Sequence, residues 1–78
     1  MNLADYFGLA IRRHRELLRL SQEELANRAN IDRTYISGVE RGARNPTLHV
    51  MQKIATALGS DLDVLFATAR EIARAKEG

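Results

Sequence analysis

The stretch Ser21-Gln22-Glu23-Glu24-Leu25-Ala26-Asn27-Arg28-Ala29-Asn30-Ile31-Asp32-Arg33-Thr34-Tyr35-Ile36-Ser37-Gly38-Val39-Glu40-Arg41 decides the fold. Ser21 and Glu24 form an S-x-x-E capping box, so a helix starts directly after Ser21. Leu25, Ala26 and Ala29 take its inward side, which predicts a short helix of about eight residues over 22–29. Asn30-Ile31 breaks the pattern. Asp32 can then cap a third helix running to about Arg41, and Gly42 is placed to stop it. A turn this tight over Ala29-Asn30-Ile31 crosses the two helices steeply rather than side by side. Two short helices so joined, the second followed by a basic loop, are the arrangement that lays a recognition helix in the DNA major groove.

On a helical wheel, Arg33, Thr34, Ser37 and Arg41 fall within one arc of about 100°, while Ile36 and Val39 point to the opposite side. The third helix therefore has an apolar back and a front of hydrogen-bonding groups. Gly38, in its middle, should cost roughly 1 kcal/mol against alanine. Two reasons could justify that cost: close approach to a sugar-phosphate backbone, or close packing against another helix.

Helical spacing extends in both directions from this centre. Leu3, Phe7, Ala10, Ile11, Leu17 and Leu18 predict a first helix from about residue 3 to 19, capped by Asn2 and with Asp5 in its first turn. Gly42-Ala43-Arg44-Asn45-Pro46 reads as a loop, because the residue before a proline is pushed toward extended geometry. Thr47 caps a fourth helix with Leu48, Met51, Ile54, Ala55 and Leu58 on one stripe and Gly59 at its end. A fifth helix, about 61–77, starts at Ser60 or Asp61 and carries Leu62, Leu65, Phe66, Ala69, Ile72 and Ala73 on one face. No alternating or β-branched run survives. The chain reads as a single all-α, five-helix domain over 1–78, with 74–78 a frayed tail.

With 78 residues and no cysteine, the chain must hold a small core together without staples, by helix packing, self-association or both. A hydrophobic share of 45% and a charged share of 28% are those of an ordinary globular domain. No apolar run approaches a membrane span, and the first 30 residues carry no charged-then-apolar leader, so a cytoplasmic, nucleoid-associated protein of bacterial or phage origin is expected. Net charge is only +2, yet ten of the twelve basic residues are arginine. Arginine forks suit phosphate and guanine, although GC-rich coding bias explains the count equally well. His14 and His49 stand 35 residues apart with no cysteine, which gives no metal-ligand spacing. His14 falls on the apolar face of its helix and reads as a core-edge histidine; His49 reads as solvated. No phosphate-binding loop, H-E-x-x-H, G-x-S-x-G or isolated carboxylate pair is present, and so small a bundle leaves little room for a pocket of about 300 Å³ or more. Neither an enzyme, a metal, a cofactor nor a small-molecule ligand is expected.

The run from Ser21 to Gly59, with its S-Q-E-E-L-A box, Ile31, Ile36 and an E-R-G-x-R-N-P segment, resembles the lambda-repressor-like helix-turn-helix domain of the phage repressor/Cro family. The resemblance covers about residues 7–66. The form Asp32-Arg33-Thr34-Tyr35-Ile36-Ser37-Gly38, in a chain this short, further resembles the controller proteins of restriction–modification systems. The resemblance implies that Arg33, Thr34 and Ser37 reach base edges, with Arg33 the candidate for a bidentate guanine contact. It implies that Gln22 touches a phosphate and braces the recognition helix. Arg41, Arg44 and Asn45 match backbone-positioning sites, and Tyr35, on the flank, suits a backbone or packing contact. Arg15 and Glu40 match a partly buried structural ion pair. Arg12 and Arg13 read as a solvated face that could brush the DNA backbone.

One recognition helix buries too little surface for tight specific binding, whereas a two-fold dimer reads half-sites about 34 Å apart. A homodimer on a palindromic operator is therefore expected, with the fifth helix contributing Leu62, Leu65, Phe66, Ala69 and Ile72 to the interface. RNA polymerase is a further candidate partner, and the protein's own concentration is the expected signal. The rival expectation is an antitoxin-type interaction module whose fifth helix masks a toxin, with DNA binding secondary.

Overall fold

A computed structural model describes residues 1–77 and contains five helices: α1 (Leu3–Leu17), α2 (Gln22–Ala29), α3 (Arg33–Glu40), α4 (Leu48–Ala57) and α5 (Leu62–Glu77). No strand occurs among the described residues, so the architecture is all-α. The starts are fixed by side chains that satisfy otherwise orphaned amides. Ser21 and Glu24 close a reciprocal box at α2: Glu24 N–H donates to Ser21 Oγ at 3.0 Å and Ser21 N–H to Glu24 Oε1 at 2.9 Å. Asn2 and Asp5 do the same at α1, where the sequence suggested only a cap and an acidic first turn. Asp32 accepts from Thr34 N–H at 2.8 Å and Thr47 from Val50 N–H at 3.2 Å.

The helix ends use left-handed residues. α1 stops at Leu17, two residues before the expected limit, because Arg19 adopts φ 58° and the Leu20 N–H turns back to Arg15 O at 3.1 Å. Asn30 (φ 55°) ends α2 in the same way, with Ile31 N–H donating to Ala26 O at 2.9 Å. That single left-handed residue makes the turn into α3 tight. Gly42 (φ +75°) and Gly59 (φ +66°) close α3 and α4.

α1 packs against α3 and α5, α2 against α3 and α4, and α4 against α5. The main core joins Phe7, Ile11, Leu25, Ile36, Val39, Ile54, Leu58 and Leu65, with Phe66 tilted against Phe7 at a ring separation of 5.4 Å. Gly8 lets α1 approach α3: a Cβ there would stand 2.6 Å from Glu40 O and collide with Val39 O. A second cluster of Tyr6, Ala10, Ala69 and Ile72 binds the far half of α5 to α1.

This second cluster corrects two expectations. Leu65, Ala69 and Ile72 are 0%, 1% and 6% exposed within the chain itself, and Leu62 and Phe66 pack half-buried on the main core. Leu65, Ala69 and Ile72 are thus spent on α1 and the core, while Leu62 and Phe66 keep part of their surface exposed. Nor does α5 fray from residue 74: it is helical through Glu77, whose Oε1 accepts from the Tyr6 hydroxyl at 2.6 Å. Gly78 lies outside the described residues.

Candidate nucleic-acid interface

α3 divides its residues as the wheel requires. Ile36 and Val39 are buried, Arg33, Thr34 and Arg41 are exposed, and Ser37 is half-buried between the two faces. The helix is held from behind by a carboxylate. Glu40, only 7% exposed, accepts Arg15 Nε at 2.7 Å and Arg15 Nη2 at 3.0 Å, a bidentate pair from α1. Its Oε1 also accepts Gln22 Nε2 from α2 at 3.1 Å, and Arg15 Nη1 donates to Leu20 O at 2.8 Å. One ion cluster thus ties α1, α2, the α1–α2 turn and α3 together. The hydrogen bonds to Glu40 raise the Arg15 pKa further above its ordinary value, so its charge is permanent.

The two residues that open α3 are unencumbered. Arg33 has no hydrogen-bond or ion-pair partner among the described residues, and the Thr34 hydroxyl is likewise free while its N–H is capped by Asp32. Arg41 Nη1 donates to Ser37 Oγ at 2.6 Å across one turn, which joins those two side chains on the exposed front. Arg44, in the loop, places its guanidinium carbon 5.7 Å from the centroid of the Tyr35 ring. Asn45 is exposed and borders an apolar hollow of about 220 Å³ with Leu3, Ala4, Phe7, Pro46, Met51 and Phe66. Arg33, Thr34, Ser37 and Arg41 therefore share the front of one helix, and Tyr35 and Arg44 stack beside it.

Gln22 is half-buried and gives one amide N–H to Glu40; its other N–H remains for an outside acceptor. This bond to α3 is the brace on the recognition helix that the resemblance implied, with Glu40 as its acceptor. Of the two reasons expected for Gly38, packing against another helix does not operate: the atoms nearest to a Cβ built there belong to Arg44 of the following loop. His14 Nε2 and Thr68 Oγ1 share a hydrogen bond of 2.9 Å, a structural use that links α1 to α5. A surface groove of about 460 Å³ between α1 and α5 exceeds the volume expected, and its lining residues Arg12 and Glu16 pair with each other at 3.5 Å. No described helix is long and apolar enough to cross a membrane.

Comparison with known proteins bears on this surface. The helix-turn-helix family matches residues 11–65. The control protein C.BamHI of Bacillus amyloliquefaciens is 44% identical over 59 residues, which are 74% of this chain and 73% of that protein. An uncharacterized HTH-type transcriptional regulator of Mycobacterium tuberculosis is 40% identical over 62 residues, 80% of this chain; the match spans only 44% of that relative's length. Among solved structures, the restriction–modification controller protein C.Esp1396I, a tetramer in complex with its natural 35-base-pair operator, superposes with a TM-score of 0.84 at 34% identity, covering 91% of this chain and 93% of that one. The chain belongs to the phage repressor/Cro type of helix-turn-helix family, which includes the restriction–modification control proteins it resembles.

Proposed function

We propose that the chain is a sequence-specific transcriptional regulator that binds a palindromic operator as a homodimer, in the manner of an autoregulating restriction–modification controller. The observation that carries this reading is the front of α3: Arg33 and Thr34 stand exposed in its first turn, on a helix whose back is fixed by Ile36, Val39 and the Glu40 cluster. A helix backbone fixed in this way presents those side chains without itself having to be ordered on binding. Arg33, Thr34 and Ser37 would read base edges; Gln22, Tyr35, Arg41, Arg44 and Asn45 would hold the backbone. The operator complex of the related C.Esp1396I supports the DNA partner.

The dimer contact belongs on the outward sides of α4 and α5. Val64, 40% exposed, is the apolar residue that α5 leaves outside the fold. The antitoxin reading is not favoured, because the relatives are control proteins and HTH-type transcriptional regulators and one related structure is an operator complex.

Titration of variants against the protein's selected site tests the residue roles. Arg33→Ala should lose about 1–3 kcal/mol on that site and become indifferent to the base at one position per half-site. Arg44→Ala should weaken all sequences alike and lower the salt slope by about 1. Equal loss on specific and random duplexes for Arg33→Ala would remove it from the base-reading set.

A further inference from the structure

Gly38 stands in the middle of α3, where alanine would serve the helix better. A Cβ built on its backbone would lie 2.6 Å from Arg44 Cγ, with Arg44 Cβ and Cδ each at 3.7 Å. These are three consecutive carbons of one side chain, so the aliphatic stem of Arg44 lies along the helix in the space that the glycine leaves. The same residue fixes the backbone of the loop: Gly38 O accepts from Ala43 N–H at 2.9 Å and from Arg44 N–H at 3.2 Å. The stem seated there ends with its guanidinium over the Tyr35 ring, 5.7 Å from the centroid, within cation–π range. Arg44 is therefore held at its root by main-chain bonds, along its stem by the bare surface of Gly38 and at its tip by an aromatic face.

An exposed arginine ordinarily loses rotamer freedom when it grips a phosphate, and that loss subtracts from affinity. We propose that Gly38 is a positioning residue for DNA-backbone binding: it seats Arg44 so that Arg44 and Tyr35 meet a phosphate as one prearranged unit. This rests on the DNA-binding reading above and concerns how affinity is set, not which bases are read. The usual reason for a glycine in a helix, passage of a second helix, operates at Gly8 instead, where the carbonyls of Val39 and Glu40 fill the space.

The test is Gly38→Ala, made in the wild type and in an Arg44→Ala background. Three quantities are read: the melting temperature, the proton shifts of the Arg44 methylenes in the free protein, and affinity with its salt slope on a duplex the wild type selects. Arg44 Cγ cannot stay where it is beside an alanine methyl, and moving it means a new χ1. The melting temperature should therefore hold or rise, while the Arg44 methylene shifts lose their ring-current displacement. Affinity should fall roughly tenfold with a shallower salt slope, the size expected for one charged phosphate contact. In the Arg44→Ala background the same substitution should change affinity little, because the seat then has no occupant. Wild-type affinity in Gly38→Ala would overturn the proposal. So would a loss of equal size in both backgrounds, which would mean that DNA itself passes close to Gly38. A lower-melting Gly38→Ala whose Arg44 shifts do not move, or one that no longer folds, would make it a packing glycine and overturn the proposal. A wild type that selects no duplex would remove the DNA reading and this proposal together, and that outcome is seen before any variant is made.

Discussion

At the residue scale, the Glu40 carboxylate takes three N–H donors from two other helices while almost removed from water. A buried ion pair often adds little over a well-packed apolar pair, yet breaking it from one side strands a charge. Arg15→Met is therefore expected to cost about 3–5 kcal/mol, and the double variant Arg15→Met, Glu40→Leu to recover much of that, both read by denaturant unfolding. A double variant as unstable as the single one would mean that the pair holds the helices by more than charge. The resemblance implied the pairing of Arg15 with Glu40, and the structure forms it. The resemblance also implied that Gln22 braces the recognition helix, but not that it does so through Glu40, since periodicity reports which face a residue occupies and not which side chains of three helices converge. For the same reason Gly38 was seen to be costly while its occupant, Arg44, was not.

At the scale of elements, capping chemistry governs where the two short helices begin. Isolated eight-residue helices are marginal, so α2 depends on its box and on packing. Ser21→Ala is expected to lower stability by about 1 kcal/mol. Backbone and hydroxyl hydrogen bonds from Ser21 hold the Glu24 carboxyl below its ordinary 4.5. A lowered folded-state pKa gives stability that is present above the unfolded value and disappears as pH falls through the folded one. Glu24→Gln should therefore flatten part of the acid limb of the stability curve below pH 4.5, whereas an unchanged limb would place the acid sensitivity elsewhere. The starts at Ser21, Asp32 and Thr47 and the stops at Gly42 and Gly59 could be read from residue type. The stop at Arg19 could not, because nothing in an arginine marks it for a left-handed conformation that costs a non-glycine residue about 1–2 kcal/mol. Arg19→Gly should accordingly stabilise the protein slightly, by less than that cost because glycine is freer when unfolded.

At the scale of the whole molecule, α5 shows how far a stripe of apolar residues can be trusted. The stripe over Leu62–Ala73 was legible, and so was its length; its partner was not, because an apolar face fits an intramolecular helix and a second subunit equally well. Much of it is spent within the chain, Leu65 on the main core and Ala69 and Ile72 on α1, and the radius of gyration of 11.3 Å is close to the roughly 11.5 Å of a compact chain of this length. The exposed surface of 4910 Å² likewise sits near the roughly 4,800 Å² expected for a folded monomer of 8.8 kDa. The proposed homodimer would then use the outward sides of α4 and α5. Val64→Lys should raise the dimer dissociation constant at least about tenfold in sedimentation equilibrium while leaving the melt of the monomer nearly unchanged. Ile72→Ser should instead unfold the chain, because it opens the cluster with Tyr6, Ala10 and Ala69. The central claim is that two copies of α3 read two half-sites of one duplex. Selection of duplexes from a random pool at near-physiological salt tests it most directly. The account predicts a two-fold symmetric motif with half-sites about one helical turn apart. Recovery of no motif, or of binding that vanishes with modest salt, would contradict it and leave the helix-turn-helix as a scaffold without a reading function.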